Sequence, residues 1–295
     1  MSKTSDMVRE NFKKSDDVRD KGLTTPVDII RYDDIIYGED SKWQILDVYR
    51  PKAEEGKTLP VIVSVHGGGW VYGDKERYQY YCMNLAQRGF AVVNFTYRLA
   101  PEFKFPASLE DTNLVFTWVL NHAKEYGFDT KHVFAVGDSA GGHNLSLYAS
   151  ICTNPAYAAE YKFKAPEGFV PTAIALNCGK YEIDLGSDST DELTKLLMAD
   201  LLPEQGSAEE VRLINVTNHV TKNFPPTFLM TATGDFLREQ APVMAAKLAS
   251  CNVPFVYRFY GNSERELEHV FHCNIKTKDA KICNDEECNF FKEFC

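Results

Sequence analysis

The stretch Gly137-Asp138-Ser139-Ala140-Gly141-Gly142 constrains this chain more than any other. It follows the apolar run Val133-Phe134-Ala135-Val136 and precedes Asn144-Leu145-Ser146-Leu147-Tyr148-Ala149, which reads as helix. A serine between a buried strand and a helix must occupy a sharp, strained turn. Side chains at 137 and 141 would collide there, so both positions need glycine. The turn lifts the Ser139 hydroxyl clear of the sheet. It also sets it at a helix N-terminus, where the Ala140 N–H and the helix dipole favour negative charge.

A second glycine run, His66-Gly67-Gly68-Gly69-Trp70, ends another strand-like run, Pro60-Val61-Ile62-Val63-Ser64-Val65. Successive glycines let a backbone approach a ligand closely and point N–H groups at it. Gly68 and Gly69, joined by Ala140, are the expected oxyanion donors. His66 is expected to order the loop. A phosphate-binding loop is disfavoured, because no Gly-Lys-Ser/Thr follows. A nucleophilic serine beside an oxyanion site is what acyl transfer requires.

A third stretch, Tyr97-Arg98-Leu99-Ala100-Pro101-Glu102 with Phe105-Pro106-Ala107 and Glu110-Asp111, completes a pattern. In order and spacing, the three motifs resemble the hormone-sensitive-lipase-like esterases of the α/β-hydrolase superfamily. His143, after the paired glycines, departs from that pattern and is expected to be a packing or surface residue. The resemblance implies a base and an orienting acid downstream of Ser139, in the order Ser, Asp or Glu, His. Strand-like residues 226–233 end in Gly234-Asp235, and open parallel sheets build their sites at the carboxyl ends of strands. The resembled family places its acid there. Asp184, Asp188 and Asp191 fall in a charged stretch with no strand before it. His269-Val270-Phe271 matches the family's His-x-Phe pattern after the last strand, which makes His269 the expected base and His272 the fallback. The triad is therefore Ser139, Asp235 and His269.

Eight strand candidates recur, at 27–32, 44–49, 60–65, 91–97, 133–136, 172–177, 227–233 and 255–260. Helical patterns separate most of them from the third onward. Short links suggest that the first three open the sheet as a meander. The expected fold is α/β: a mostly parallel eight-stranded sheet with helices on both faces, as one domain over 1–295. Residues 1–24 and 183–222 fall outside that plan. In the resembled family such segments roof the site, so a small helical cap is expected from them, with a helix around 193–201.

Composition narrows the partners. A net charge of −10 argues against nucleic acid and anionic membrane surfaces, which need basic patches. No apolar run is long enough for a transmembrane helix. The polar start lacks the apolar core of a signal peptide, so a cytoplasmic location is expected, with the eight cysteines as reduced thiols. Cys82, Cys152 and Cys178 are expected in the core. Cys273, Cys283, Cys288 and Cys295 lack the spacing of a zinc site. No cofactor and no metal are expected. The expected partner is a small-molecule ester with a short, acetyl-like acyl group, and acetylated sugars are one candidate class. An amidase, formamidase or peptidase on the same fold is the enzymatic rival, and a non-catalytic small-molecule receptor the remote one. The sequence leaves a homo-oligomer open.

Overall fold

A computed structural model describes residues 2–187 and 190–295. Asp188, one of the alternative acids, lies outside them. The strands are β1 (Ile29–Ile36), β2 (Ile45–Pro51), β3 (Leu59–Val65), β4 (Ala91–Phe95), β5 (Phe128–Asp138), β6 (Ala173–Asn177), β7 (Thr227–Ala232) and β8 (Phe255–Tyr260). The helices are α1 (Lys3–Asp20), α2 (Lys75–Ala86), α3 (Ala107–Asn121), α4 (Ala123–Tyr126), α5 (Ala140–Thr153), α6 (Pro155–Ala158), α7 (Glu192–Leu201), α8 (Ala208–Ile214), α9 (Gln240–Ser250) and α10 (Lys278–Lys292). This is an α/β-hydrolase fold. No helix among the described residues is long and apolar enough to cross a membrane.

The sheet order is β1-β2-β4-β3-β5-β6-β7-β8. β1 and β2 pair antiparallel, as do β2 and β4, and the other pairs are parallel. The expected three-strand meander is corrected here: β2 pairs with β4, and β3 lies one place further in. β1 starts and ends later than its predicted span. Val27 is 89% exposed, while a bulge at Asp34 (φ 57°) lets the strand continue to Ile36. The Asp34 N–H of that bulge is taken up by Asp47 Oδ1 at 2.9 Å.

The central strands are buried on both faces, so alternate residues feed two cores. Val61, Val63, Val93 and Leu176 face a core shared with α3, α5 and α9. Ile62, Val92, Phe134 and Ala175 face a second core with α2 and α10. Fully burying each such side chain contributes roughly 1.5–3 kcal/mol. The sheet order reverses at β3, which sends one crossover to β4 and the next to β5. Ligand sites of open α/β sheets form at such a reversal, beyond the carboxyl ends of the strands.

Candidate active site

Val65 of β3 pairs with Gly137 of β5, so the loops leaving the two strands emerge side by side. That register brings the two glycine motifs together from positions about seventy residues apart. Ser139 adopts φ 51° and ψ −120°, a conformation L-residues avoid, and α5 starts at the next residue. Its N–H donates to Asn177 O at 3.0 Å, and its carbonyl accepts from His143 N at 3.1 Å. The glycines are obligatory for contact reasons. A Cβ on Gly137 would lie 2.6 Å from Gly141 O, and one on Gly141 only 2.0 Å from Val65 O.

The first glycine loop is held from behind. His66 is buried, with Nδ1 2.8 Å from Gly67 O and its ring stacked on Tyr97 at 4.0 Å. Burial pushes its pKa down to about 4, so it is neutral at ordinary pH. Tyr97 donates its hydroxyl to His66 O at 2.8 Å. The N–H groups of Gly68, Gly69 and Ala140 have no acceptor among the described residues. Backbone donors left open beside a helix N-terminus are suited to a developing oxyanion.

Asp235 follows β7 and His269 lies on the loop after β8. His269 Nδ1 and Asp235 Oδ1 are 2.6 Å apart. Asp235 also accepts from Thr231 Oγ1 at 2.6 Å and from Leu237 N at 2.8 Å. Burial pushes this carboxyl up, but the bonds from His269, Thr231 and the Leu237 N–H outweigh it and hold its pKa below the usual value. With Nδ1 engaged, Nε2 is the ring nitrogen left for chemistry. Ser139 and His269 line one cavity, with no hydrogen bond between them within 3.5 Å.

The other histidines are placed differently. His143 is buried: Trp70 Nε1 donates to its Nδ1 at 3.1 Å, and its Nε2 meets Ile214 O at 2.8 Å. It latches the glycine loop to α5 and α8 as a packing residue. His272 is fully buried against Tyr81, and burial depresses its pKa to about 3. It lines neither cavity that meets Ser139.

Two cavities meet at the serine. One, of about 470 Å³, is lined by Gly69, Trp70, Ala140, Leu193, Leu197 and Leu237, among others. The second, of about 200 Å³, is lined by His269, Gly68, Asp16, Arg19, Tyr72 and Tyr78, among others. Phe12, Ser139 and Phe236 line both. Phe12 comes from α1, and Leu193 and Leu197 from α7, the helix expected around 193–201.

Several contributors carry no local sign in the sequence. Tyr78 donates to Asp138 Oδ2 at 2.7 Å and accepts from Gly67 N at 3.0 Å, which ties both glycine motifs together. Asp138 is fully buried, and burial raises its pKa to about 6. Phe236, beside the acid, was equally unmarked.

Cys178 with Asp235 and His269, and Cys273 with Asp138 and His272, each bring their ligand atoms within 4.8 Å. Burial pushes both thiols well above the usual range. Of the three cysteines expected in the core, two are fully buried. Cys82 and Cys178 are buried, Cys152 is half-buried, and all eight are free thiols.

The sequence pattern of the BD-FAE family matches residues 46–248, more than half of the chain. Versiconal hemiacetal acetate esterase of Dothistroma septosporum is 29% identical over 250 residues, covering 80% of this chain and 73% of that protein. Esterase LipC of Mycobacterium tuberculosis is 30% identical over 210 residues, 68% of this chain, and the match spans half of LipC's length. Esterase B of Lactobacillus rhamnosis superposes with a TM-score of 0.89 at 25% identity, covering 99% of this chain and 95% of that one. The chain belongs to the BD-FAE family and is an α/β-hydrolase-fold relative of the carboxylesterases.

Proposed function

We propose that this protein is a serine carboxylester hydrolase acting on short-acyl esters through an acyl-enzyme intermediate. The observation that carries the reading is the 2.6 Å contact of His269 Nδ1 with Asp235 Oδ1, beside a cavity into which Ser139 opens from a strained turn. Ser139 Oγ attacks the ester carbonyl carbon, and its proton passes to His269 Nε2. Asp235 holds the imidazole by Nδ1 and stabilises the imidazolium. The Gly68, Gly69 and Ala140 N–H groups take the oxyanion. As the tetrahedral intermediate collapses, the C–O bond to the alcohol breaks, and His269 returns the proton to the leaving oxygen. Water then attacks the acyl-serine, with His269 as base again, and the acid leaves. Each step is balanced by the chain's own groups and water.

The short-acyl assignment is supported by relatives and by the shape of the site. Versiconal hemiacetal acetate esterase is named for an acetate ester, and Esterase B was solved bound to a C4-C4 tributyrin phosphonate. In this protein Phe12 of α1 and Leu193 and Leu197 of α7 line a cavity together with Ser139, which supports the cap expected from residues 1–24 and 183–222. A roofed cavity sets a limit on chain length. A panel of p-nitrophenyl esters from acetyl to decanoyl, with p-nitroacetanilide included, tests the reading. The expected result is maximal kcat/KM between acetyl and butyryl, with a steep fall beyond about six to eight carbons. Anilide cleavage faster than ester cleavage overturns it in favour of an amidase.

A further inference from the structure

The larger of the two cavities at Ser139 carries a half-buried lysine. His269 must return its proton to the leaving oxygen, so the alcohol lies in the cavity that His269 lines. The acyl group therefore extends into the other cavity, of about 470 Å³, which His269 does not line. Its wall includes Trp70, Leu193, Leu197 and Leu237. Lys180 and Gln240 interrupt that apolar lining.

Lys180 follows β6, and its N–H donates to Ser139 O at 3.4 Å, which anchors it next to the nucleophile. Among the described residues its Nζ has no hydrogen-bond or ion-pair partner. Burial lowers its pKa, and only the more distant charge of Asp191 opposes that. Gln240, the first residue of α9, uses Oε1 to accept from the Tyr181 and Glu182 N–H groups, both at 2.8 Å. Two N–H donors on that atom fix it as the oxygen, so the amide NH2 is left as a donor. It has no acceptor among the described residues. The cavity thus presents two unmet donors, one of them charged. The acidic residues of its wall are engaged elsewhere. Asp191 is exposed at the start of α7 and accepts from Thr194 N and Oγ1 at 2.9 and 2.7 Å. Glu239 is 84% exposed and pairs with Arg238. Charges open to water are screened far more than a half-buried one. A hydrocarbon acyl chain would strip water from Lys180 and return nothing, a desolvation cost without compensation. A carboxylate on the acyl group would pair with the ammonium and accept from the Gln240 amide.

We propose that the larger cavity selects acyl groups that end in a carboxylate, as in half-esters of short dicarboxylic acids, with Lys180 as the specificity-determining cation; this rests on the esterase reading above and names its acyl class. The test compares ethyl butyrate, monoethyl succinate and ethyl 4-(dimethylamino)butyrate on the wild type and on Lys180→Met. At about pH 7 the second is an anion and the third a cation. All three release ethanol, so only the acyl side differs. In the wild type monoethyl succinate should exceed ethyl butyrate by about tenfold in kcat/KM, the scale of one hydrogen bond between charged groups. Lys180→Met, which keeps the aliphatic bulk, should bring that ratio to about one or below. The wild-type comparison needs no variant, so misfolding of Lys180→Met cannot obscure it. Equal or faster cleavage of ethyl butyrate overturns the proposal. So does a preference for the cationic ester, which would give the recognition to Asp191 and Glu239. A ratio left unchanged in a folded Lys180→Met protein, with every ester slowed equally or not at all, reduces Lys180 to a structural role and also overturns it. If the acyl preference fails while ethyl butyrate is cleaved, the esterase reading survives alone; if none of the three is cleaved, both readings fall.

Discussion

The ring of Phe236 lies 4.2 Å from the imidazole of His269, centroid to centroid, while Phe236 itself is 71% exposed. A large aromatic left open to water beside a candidate base is suited to contact a substrate and to favour positive charge on the imidazole. At exposed sites such a cation–π contact contributes about 0.5–1 kcal/mol. Phe236→Ala should therefore lower kcat by roughly two- to fivefold with the fold intact, and Phe236→Tyr should restore it. Steady-state kinetics on a butyryl ester reads this directly. An unchanged kcat in Phe236→Ala contradicts it.

His269 and His272 should separate cleanly on substitution. His269→Ala should lose roughly 10⁴-fold in kcat, close to the loss in Ser139→Ala, and the double variant should be little worse than either single one. His272→Ala should keep its catalytic power but melt at a lower temperature, because it opens a void against Tyr81. Thermal denaturation and kinetics on the same preparations check both halves. Full activity in His269→Ala would transfer the role of base to His272.

Much of this site was legible in the sequence, for identifiable reasons. The Ser139 turn is encoded locally, because Gly137 and Gly141 answer steric conflicts that arise within a few residues or across one strand pair. Asp235 lies beside His269, where the sequence expects an acid, because a buried strand ends just before it. The strands were visible as runs of β-branched residues, except where charge broke the run. Lys131 and His132 hid the first half of β5, which starts at Phe128. Tyr78 and Phe236 were not legible. Each matters through neighbours distant in the chain, Asp138 for one and His269 for the other, and no local pattern records that. The pairing of β2 with β4 was missed for a related reason, since link length does not say which strand will intervene.

Behind the elbow, Glu287 of α10 is fully buried. It accepts from Asn177 Nδ2 at 2.6 Å and from Tyr81 at 3.2 Å. Burial pushes its pKa up to about 7, against an ordinary value of 4.5. A carboxyl raised on folding binds more protons in the native than in the unfolded state. Its contribution is therefore full below about pH 4.5 and is lost as pH rises through about 7. Glu287→Gln removes this dependence. The melting temperature of the variant relative to the wild type should climb between about pH 4.5 and 7 and then level off. A difference that is flat with pH, measured by calorimetry in matched buffers, contradicts the assignment.

Helix α1 is held to the body largely by polar ties. Arg9 donates to Val71 O at 2.7 Å and Ala100 O at 2.9 Å and pairs with Glu102 at 2.6 Å. Within α1 only Ser5 and Val8 are buried. Deleting residues 1–24 should leave the sheet folded, since the strands start at Ile29, but should change the acyl-length profile or lower kcat. Circular dichroism with the acyl panel tests this. An unchanged profile in a well-folded deletion would remove the segment from any cap.

The proposed reaction turns on Ser139 as the nucleophile. Incubation with a butyryl phosphonate followed by peptide mass spectrometry identifies the residue that is attacked. One covalent adduct is expected, on the peptide that carries Ser139, formed in step with loss of esterase activity and absent from Ser139→Ala. That variant should itself be slower by roughly 10⁴-fold or more in kcat with little change in melting temperature. An adduct on another serine, or an active Ser139→Ala protein, would contradict it.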